Sequence, residues 1–255
     1  MNSLYRLLLR IRPAFVASFL KRMLRIHRRV AETPEGRFFI DPASNFGYAL
    51  LSENAYEPEL THAVKALLNE GDAFLDIGAN EGYFSVLAAA RVGKSGTVLC
   101  IEPQSRLQPV IFRNLSENGA SHVRVFQVAV SDADGFAELS LPPDMNTGHG
   151  ALFQKTRYRN PTEIVPQTKL SGFLKRLAVD HVTLMKIDIE GFEYEAILGS
   201  KEVFRQGLIQ HIALEVHPSL LKRRGKKEED ILNFLASCGY ERNPDFTNLV
   251  LTRKQ

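Results

Sequence analysis

Phe74-Leu75-Asp76-Ile77-Gly78-Ala79-Asn80-Glu81-Gly82, followed by Val98-Leu99-Cys100-Ile101-Glu102-Pro103, is the stretch that decides the fold of this 255-residue chain. An apolar run ends in a small-residue turn, an amphipathic segment follows, and a second apolar run ends in an acid. That order reads as strand, loop, helix, strand, with the loop backbone open to a ligand. Glu102 lies 26 residues beyond Asp76, a spacing that suits a carboxylate gripping the two hydroxyls of a ribose at the carboxyl edge of a parallel sheet. The pair therefore implies a cofactor that contains a nucleoside.

Outward from this unit the alternation continues. A helix is expected over 58–69, with Pro58 in its first turn and Gly71 closing it. Strand 73–77 opens a series of helices near 82–92 and 105–118 and strands near 97–101 and 123–129. A helix over 168–178, a strand over 182–187, a helix near 192–206 and a strand over 211–216 follow. A helix near 227–238 and short strands around 240–243 and 249–252 close the chain, the last two suggesting an antiparallel edge. Apolar strands alternating with amphipathic helices predict an α/β fold, a doubly wound and mostly parallel sheet covered on both faces. Between Leu141 and Pro166 the pattern lapses into prolines, glycines and asparagines, which reads as an irregular loop serving as a substrate lid.

The first loop narrows the cofactor. Gly78 and Gly82 let the backbone come close to a ligand, and the helix that follows presents free amide hydrogens. A dinucleotide fingerprint needs three glycines in register, but Asn80 holds the second position and Tyr83 the third. That disfavours NAD and fits a cofactor without phosphate, such as S-adenosylmethionine.

Four ordered motifs then carry a likeness: Asp76-Ile77-Gly78-Ala79-Asn80-Glu81-Gly82-Tyr83-Phe84-Ser85, Glu102-Pro103, Ala129-Val130-Ser131-Asp132, and Lys186-Ile187-Asp188-Ile189-Glu190-Gly191-Phe192-Glu193. Across roughly residues 70–220 the chain resembles the FkbM-type S-adenosylmethionine-dependent methyltransferases, whose fold is the Rossmann-like class I domain. The resemblance implies that Asp76, Gly78, Ala79, Asn80 and Gly82 cradle the methionine half of the cofactor. It implies that Glu102 binds the ribose and that the stretch from Gln127 to Ser131, with Ala129, lies beside adenine, Asp132 reading its amine. Members of this family mostly methylate hydroxyls of sugars or secondary metabolites, so a small-molecule or glycan acceptor is expected.

For the reaction itself, period-2 alternation puts Lys186, Asp188 and Glu190 on one side of a strand end near the cofactor edge. Charged groups there are costly unless paired or used. Asp188 or Glu190 could remove the acceptor's proton, or together hold Mg²⁺ through oxygen ligands. Lys186 could instead simply fix the carboxylates. Glu215 and His217 end the next strand, and His217 near Asp188 would make an acid/base pair. His149, in the expected lid, is a weaker candidate.

Composition bounds the remainder. Residues 1–31 carry eight basic side chains and no acid, whereas the other 224 carry 24 basic and 29 acidic ones. A basic amphipathic extension over 1–35 therefore precedes a methyltransferase domain over 36–255, with its core at 70–220. After Pro13, Phe15, Val16, Phe19, Leu20, Met23 and Leu24 recur at helical spacing. This segment suits an anionic membrane surface, a packing face on the body or a partner, or an organelle transit peptide. No stretch reaches the length that spans a bilayer, and Cys100 and Cys238 lack metal-ligand spacing. A cytoplasmic protein is expected, membrane-associated if the basic helix lies on a surface. The run Lys222-Arg223-Arg224-Gly225-Lys226-Lys227 is followed at once by Glu228-Glu229-Asp230, and the chain has no Trp, so nucleic acid is not expected as a partner. Two further readings stay open: an NAD-dependent oxidoreductase, and a non-catalytic adapter on a methyltransferase fold.

Overall fold

The structure is a computed structural model that describes residues 2–11, 14–141, 151–152 and 161–254. The chain starts with helices α1 (Asn2–Arg10) and α2 (Ala14–Met23) and a hairpin of β1 (Arg29–Thr33) and β2 (Gly36–Ile40). Helix α3 (Asn45–Glu53) is capped by Ser44, whose hydroxyl accepts from the Gly47 amide, and α4 (Pro58–Leu67) follows. The alternating body then runs β3 (Ala73–Ile77), α5 (Tyr83–Val92), β4 (Thr97–Ile101), α6 (Gln108–Glu117) and β5 (Arg124–Phe126). After it come β6 (Ala129–Ser131), β7 (Gly135–Ser140), β8 (Ala151–Leu152), β9 (Thr162–Lys169), α7 (Leu170–Arg176) and β10 (Val182–Ile187). The last elements are α8 (Glu193–Leu198), α9 (Lys201–Arg205), β11 (Ile209–Leu214), α10 (Pro218–Arg223), α11 (Glu228–Ser237), β12 (Tyr240–Arg242) and β13 (Val250–Arg253).

The main sheet has the order β12-β13-β11-β10-β3-β4-β5. Its five strands from β11 to β5 are parallel, and β13 and β12 form the antiparallel edge expected from the sequence. From β3 the chain winds outward through β4 to β5, then returns to lay β10 on the other side of β3. The winding reverses between β3 and β10, the place where open α/β sheets bind ligands. The register aligns the exits: Ile77 sits opposite both Ile101 and Ile187, and Ile187 opposite Leu214.

Strand alternation divides the core in two. Phe74, Val98, Cys100 and Leu184 join α4, α5 and the β2 residues Phe38 and Ile40 on one face. Leu75, Ile77, Leu99, Met185 and Ile187 join α7, α8, α9 and α11 on the other. Each such large apolar side chain contributes about 1.5–3 kcal/mol when taken fully out of water. The same alternation puts Asp76 and Lys186 in register on the α5 face, where both are buried. Here two fully enclosed charges of opposite sign break the apolar pattern on adjacent parallel strands.

Five expectations need correction. The single strand over 123–129 is two, because the chain leaves the main sheet after Phe126 and Ala129–Ser131 pairs with β9 instead. The expected irregular stretch up to Pro166 contains β8 and the first half of β9, which is the centre of a second sheet ordered β6-β9-β7-β8. Pro166 hides this strand in the sequence; it lies opposite Phe136 of the antiparallel partner β7. Helix α7 accordingly starts at Leu170, not 168. The helix expected over 192–206 breaks into α8 and α9 at Gly199, where an added Cβ would lie 2.5 Å from Asp132 Cα. Strand β11 spans 209–214 and leaves Glu215, Val216 and His217 beyond the sheet. The lid reading and His149 fall on residues 142–150 and 153–160, outside the described residues.

Candidate functional site

The carboxyl ends of β3, β4, β10 and β11 open into a single cleft. One wall is the loop that leaves β3. Gly78 has φ +81°, and a Cβ there would come within 1.9 Å of the Asp188 carbonyl oxygen, so only glycine lets this loop pass the exit of β10. The Gly78 and Ala79 amides both donate to the Ile101 carbonyl at 3.0 Å. Asn80 takes a left-handed conformation with φ 50°. Its amide donates to Glu102 Oε2 at 2.9 Å, while the Gln104 amide donates to Glu102 Oε1 at 3.0 Å. Glu102 thus ties the two loops together. Burial pushes its carboxyl up to about 7, against the pull of those two backbone amides.

The loop is braced from outside by residues that the sequence reading did not single out. Arg28, just before β1, donates from Nη1 and Nη2 to the Glu81 carboxylate at 2.7 and 2.9 Å. Fully buried Asn114 of α6 donates to the Glu81 carbonyl at 2.8 Å and accepts from the Phe39 amide at 2.6 Å. These bonds join the N-terminal hairpin, the loop and α6 in one network.

The second wall is charged. Lys186 Nζ donates to the Gly78 carbonyl at 2.7 Å and lies 3.8 Å from Asp76 Oδ1 and 3.6 Å from Asp188 Oδ2. Burial disfavours its charge, but Asp188, Asp76, Glu57 and Glu215 outweigh that and raise its pKa. Asp76 is fully buried, and its Oδ2 accepts from Ser85 Oγ at 2.7 Å. His217 stands among four carboxylates. Its Nδ1 is 3.1 Å from Glu193 Oε1, and its Nε2 is 3.5 Å from Glu190, 3.8 Å from Asp188 and 3.8 Å from Glu215. Burial works against the imidazolium, yet the Glu193 hydrogen bond and the Glu190, Glu193 and Asp188 charges lift its pKa to about 9. Glu215 rises to about 7, first through burial and then through Asp188 and Glu57.

Glu193 holds this wall in shape. Besides His217, its Oε1 accepts from the Gly191 amide at 3.0 Å and from the Ile189 amide at 3.3 Å. Arg224 lies 3.7 Å over the Phe192 ring and donates to the Glu195 carboxylate at 2.6 and 3.1 Å. Lys226 sits 4.4 Å over Tyr194. Two members of the basic 222–227 run therefore brace the turn below the cleft.

Of the residues expected at the cofactor, Gly78, Ala79, Asn80, Glu102 and Ala129 line the cleft. Asp76 lies buried behind the loop, Gly82 precedes α5 against Ile111, and Ser131 is buried in β6. Asp132 packs on Gly199. Lys186, Asp188, Glu190 and His217 come together on the opposite wall. Tyr56 and Glu57 complete that wall, and sequence reasoning passed over both. Glu57 stands before Pro58 in a left-handed conformation, φ 43°, that nothing local in the sequence announces.

Among the described residues, four buried carboxylate or amide oxygens on or beside the cleft accept no hydrogen bond: Asp76 Oδ1, Asn80 Oδ1, Asp188 Oδ1 and Glu193 Oε2. Buried acceptors in that state are stabilised by a ligand that brings donors. Asp188, Glu190 and His217 also present one ligand atom each within 4.8 Å of one another.

Comparison with known proteins bears on this arrangement. The methyltransferase FkbM domain model matches residues 76–242. The methyltransferase sdnD of Sordaria araneosa is 25% identical, over 71% of this chain and 81% of its own length. Among solved structures, a methyltransferase FkbM from Methylobacillus flagellatus KT is similar, with a TM-score of 0.43 and 18% identity over 94% of this chain and 60% of its own. Aeropyrum pernix fibrillarin, solved with natively bound S-adenosyl-L-methionine, has a TM-score of 0.41 and 13% identity, covering 75% of this chain and 72% of its own.

Proposed function

The chain belongs to the FkbM-domain methyltransferase family, and from that premise we propose that it methylates a hydroxyl of a small-molecule or glycan acceptor at the expense of S-adenosylmethionine. Methyl transfer is the activity of the family; oxygen as the acceptor atom and the acceptor class are our reading. When bound, S-adenosylmethionine supplies a methyl group made electrophilic by the sulfonium. The residues present fit that molecule. Asp76, Gly78, Ala79, Asn80 and Gly82 would hold its methionine half, Asp76 from behind the loop, and the Asn80 side-chain oxygen, which accepts no hydrogen bond, suits its ammonium donors. Glu102 would hold the ribose, with Ala129, Ser131 and Asp132 toward the adenine.

The observation that carries the hydroxyl reading is Asp188. Its carboxylate lines the cleft, is fixed by Lys186, and keeps a buried Oδ1 that accepts no hydrogen bond. An acceptor O–H donating to Asp188 Oδ1 would satisfy that atom and orient the oxygen for attack, a gain made by positioning. With a pKa near 9, His217 is the imidazolium at neutral pH and steadies the carboxylates rather than taking the proton itself. Glu215, near 7 and half-exposed, can pass the proton from Asp188 to solvent. Incubation with methyl-labelled S-adenosylmethionine and a panel of glycans and hydroxylated metabolites tests this. Label on an oxygen supports the reading, and label only on nitrogen or carbon contradicts it.

The 4.8 Å spacing of Asp188, Glu190 and His217 favours a second reading, in which these three side chains would hold a Mg²⁺ ion whose charge would lower the acceptor's pKa. Under it, dialysis against EDTA abolishes turnover and Mg²⁺ restores it. Full activity after dialysis removes the metal and leaves Asp188 alone.

A further inference from the structure

We infer that the N-terminal helical hairpin is a docking surface for an anionic lipid bilayer. Its inner face is already used: Tyr5, Leu8 and Ala17 bury themselves with Ala43 against the body. A helix with one apolar stripe would then turn a polar face to water. Here the outer face is apolar as well. Leu7 is 60% exposed, Phe19 61%, Met23 66% and Leu24 51%. Of the eight large hydrophobic side chains exposed among the described residues, these four and Leu4 lie in the hairpin. So dense an outward apolar patch marks an interaction site.

Charge identifies the occupant. Of the eight basic side chains in residues 1–31, two are turned inward and paired, Lys21 with Asp41 and Arg28 with Glu81. Arg6, Arg10, Arg22 and Arg25 are exposed beside the apolar groups, and the segment contains no acid to neutralise them. A second copy of the chain on this face would bring two acid-free, arginine-rich surfaces together, which disfavours self-association. Phe19 is the one outward ring among the described residues of the hairpin and the other outward apolar groups are aliphatic, so a run of stacked bases is disfavoured too. Aliphatic and aromatic anchors flanked by arginines match the boundary between acyl chains and anionic headgroups.

Length fixes the mode of contact. α1 has 9 residues and α2 has 10, so each is about 15 Å long, half the hydrocarbon thickness. Among the described residues no helix is long and apolar enough to cross a membrane. The hairpin would therefore lie in the surface. It packs by Leu9 and Leu20 on the cluster around Ala43, which neighbours in the chain Asn45 and Phe46, two residues that line the cleft. A docked hairpin would accordingly hold the acceptor entrance close to the bilayer.

The test is co-sedimentation of the full chain with liposomes of phosphatidylcholine alone and of phosphatidylcholine mixed with phosphatidylserine. The same measurement is made on F19S/M23S and R22Q/R25Q, whose folding is checked by urea unfolding. The wild type should sediment with the anionic liposomes only and be released as salt shortens the screening length. Each arginine neutralised should lower partitioning by about fivefold, and F19S/M23S should lower it with every arginine in place. Equal binding to neutral liposomes, no sedimentation, or undiminished binding by both variants would overturn the inference. So would light scattering that finds a dimer dissolved by F19S/M23S in a chain that ignores liposomes.

Discussion

Replacing His217 by glutamine should remove a specific pH dependence of stability. The imidazole is mostly buried and has Asp188, Glu190, Glu193 and Glu215 within 4 Å. Its pKa rises from 6.5 to about 9. A group whose folded pKa is raised contributes stability that is fully present below the unfolded value and is lost as pH climbs to the folded one. The window here is pH 6.5 to 9. Two and a half pH units at 1.36 kcal/mol each give about 3 kcal/mol as the full amplitude. Urea unfolding of wild type and H217Q at half-unit steps from pH 6 to 9.5 reads this contribution: Glu102 titrates in both proteins, whereas Glu215, whose pKa the His217 charge pulls down, titrates higher in H217Q. The wild-type advantage should be largest at the acid end and shrink by about 3 kcal/mol towards pH 9. A difference that stays flat across the window would refute the reasoning, as would a histidine ring that titrates at or below its ordinary value by NMR.

Three other outcomes are expected. Glu102→Ala should weaken S-adenosylmethionine by about 1.5–3 kcal/mol, the scale of lost charge-assisted hydrogen bonds, in a calorimetric titration; unchanged affinity would end the ribose assignment. Asp188→Asn should slow turnover strongly while cofactor affinity survives, which separate measurements of kcat and Kd will show, and a fully active variant would take Asp188 out of the reaction. Gly78→Ala should cost about 2–5 kcal/mol of stability, combining a left-handed backbone with a Cβ forced onto the Asp188 carbonyl. An unfolding midpoint equal to wild type would mean that β3 and β10 do not approach as described.

Much of the cleft was legible because its strands are buried on both faces. Ala73–Ile77, Thr97–Ile101 and Val182–Ile187 are near-continuous apolar runs, and a run that ends abruptly in Gly78, Glu102 or Asp188 reveals both the strand and its functional end. The second sheet was illegible for the opposite reason. In β9, Glu163, Pro166 and Gln167 interrupt the β pattern, and the strand gains its identity only from partners far away in sequence, β6 and β7. The same holds for the braces. Arg28 and Glu81 are 53 residues apart, and Arg224 and Glu195 are 29 apart. Nothing local marks Arg224 out from its neighbours in a basic run. Glu193 was visible as part of a motif, but its work as the acceptor for two backbone amides and His217 appears only once the chain has turned at Gly191. In the N-terminal segment the helical period after Pro13 was readable, whereas which apolar groups would face the body was not. The structure buries Ala17 and leaves Phe19 and Met23 outside.

The central claim is that the cleft at the ends of β3, β4, β10 and β11 holds S-adenosylmethionine for methyl transfer. Isothermal titration of the full chain with S-adenosylmethionine, S-adenosylhomocysteine and NAD tests it most directly. The account predicts micromolar binding of both sulfur nucleosides, weakened together by Glu102→Ala, and no heat from NAD. Binding of NAD, or silence from both sulfur nucleosides in protein that unfolds cooperatively, would contradict it.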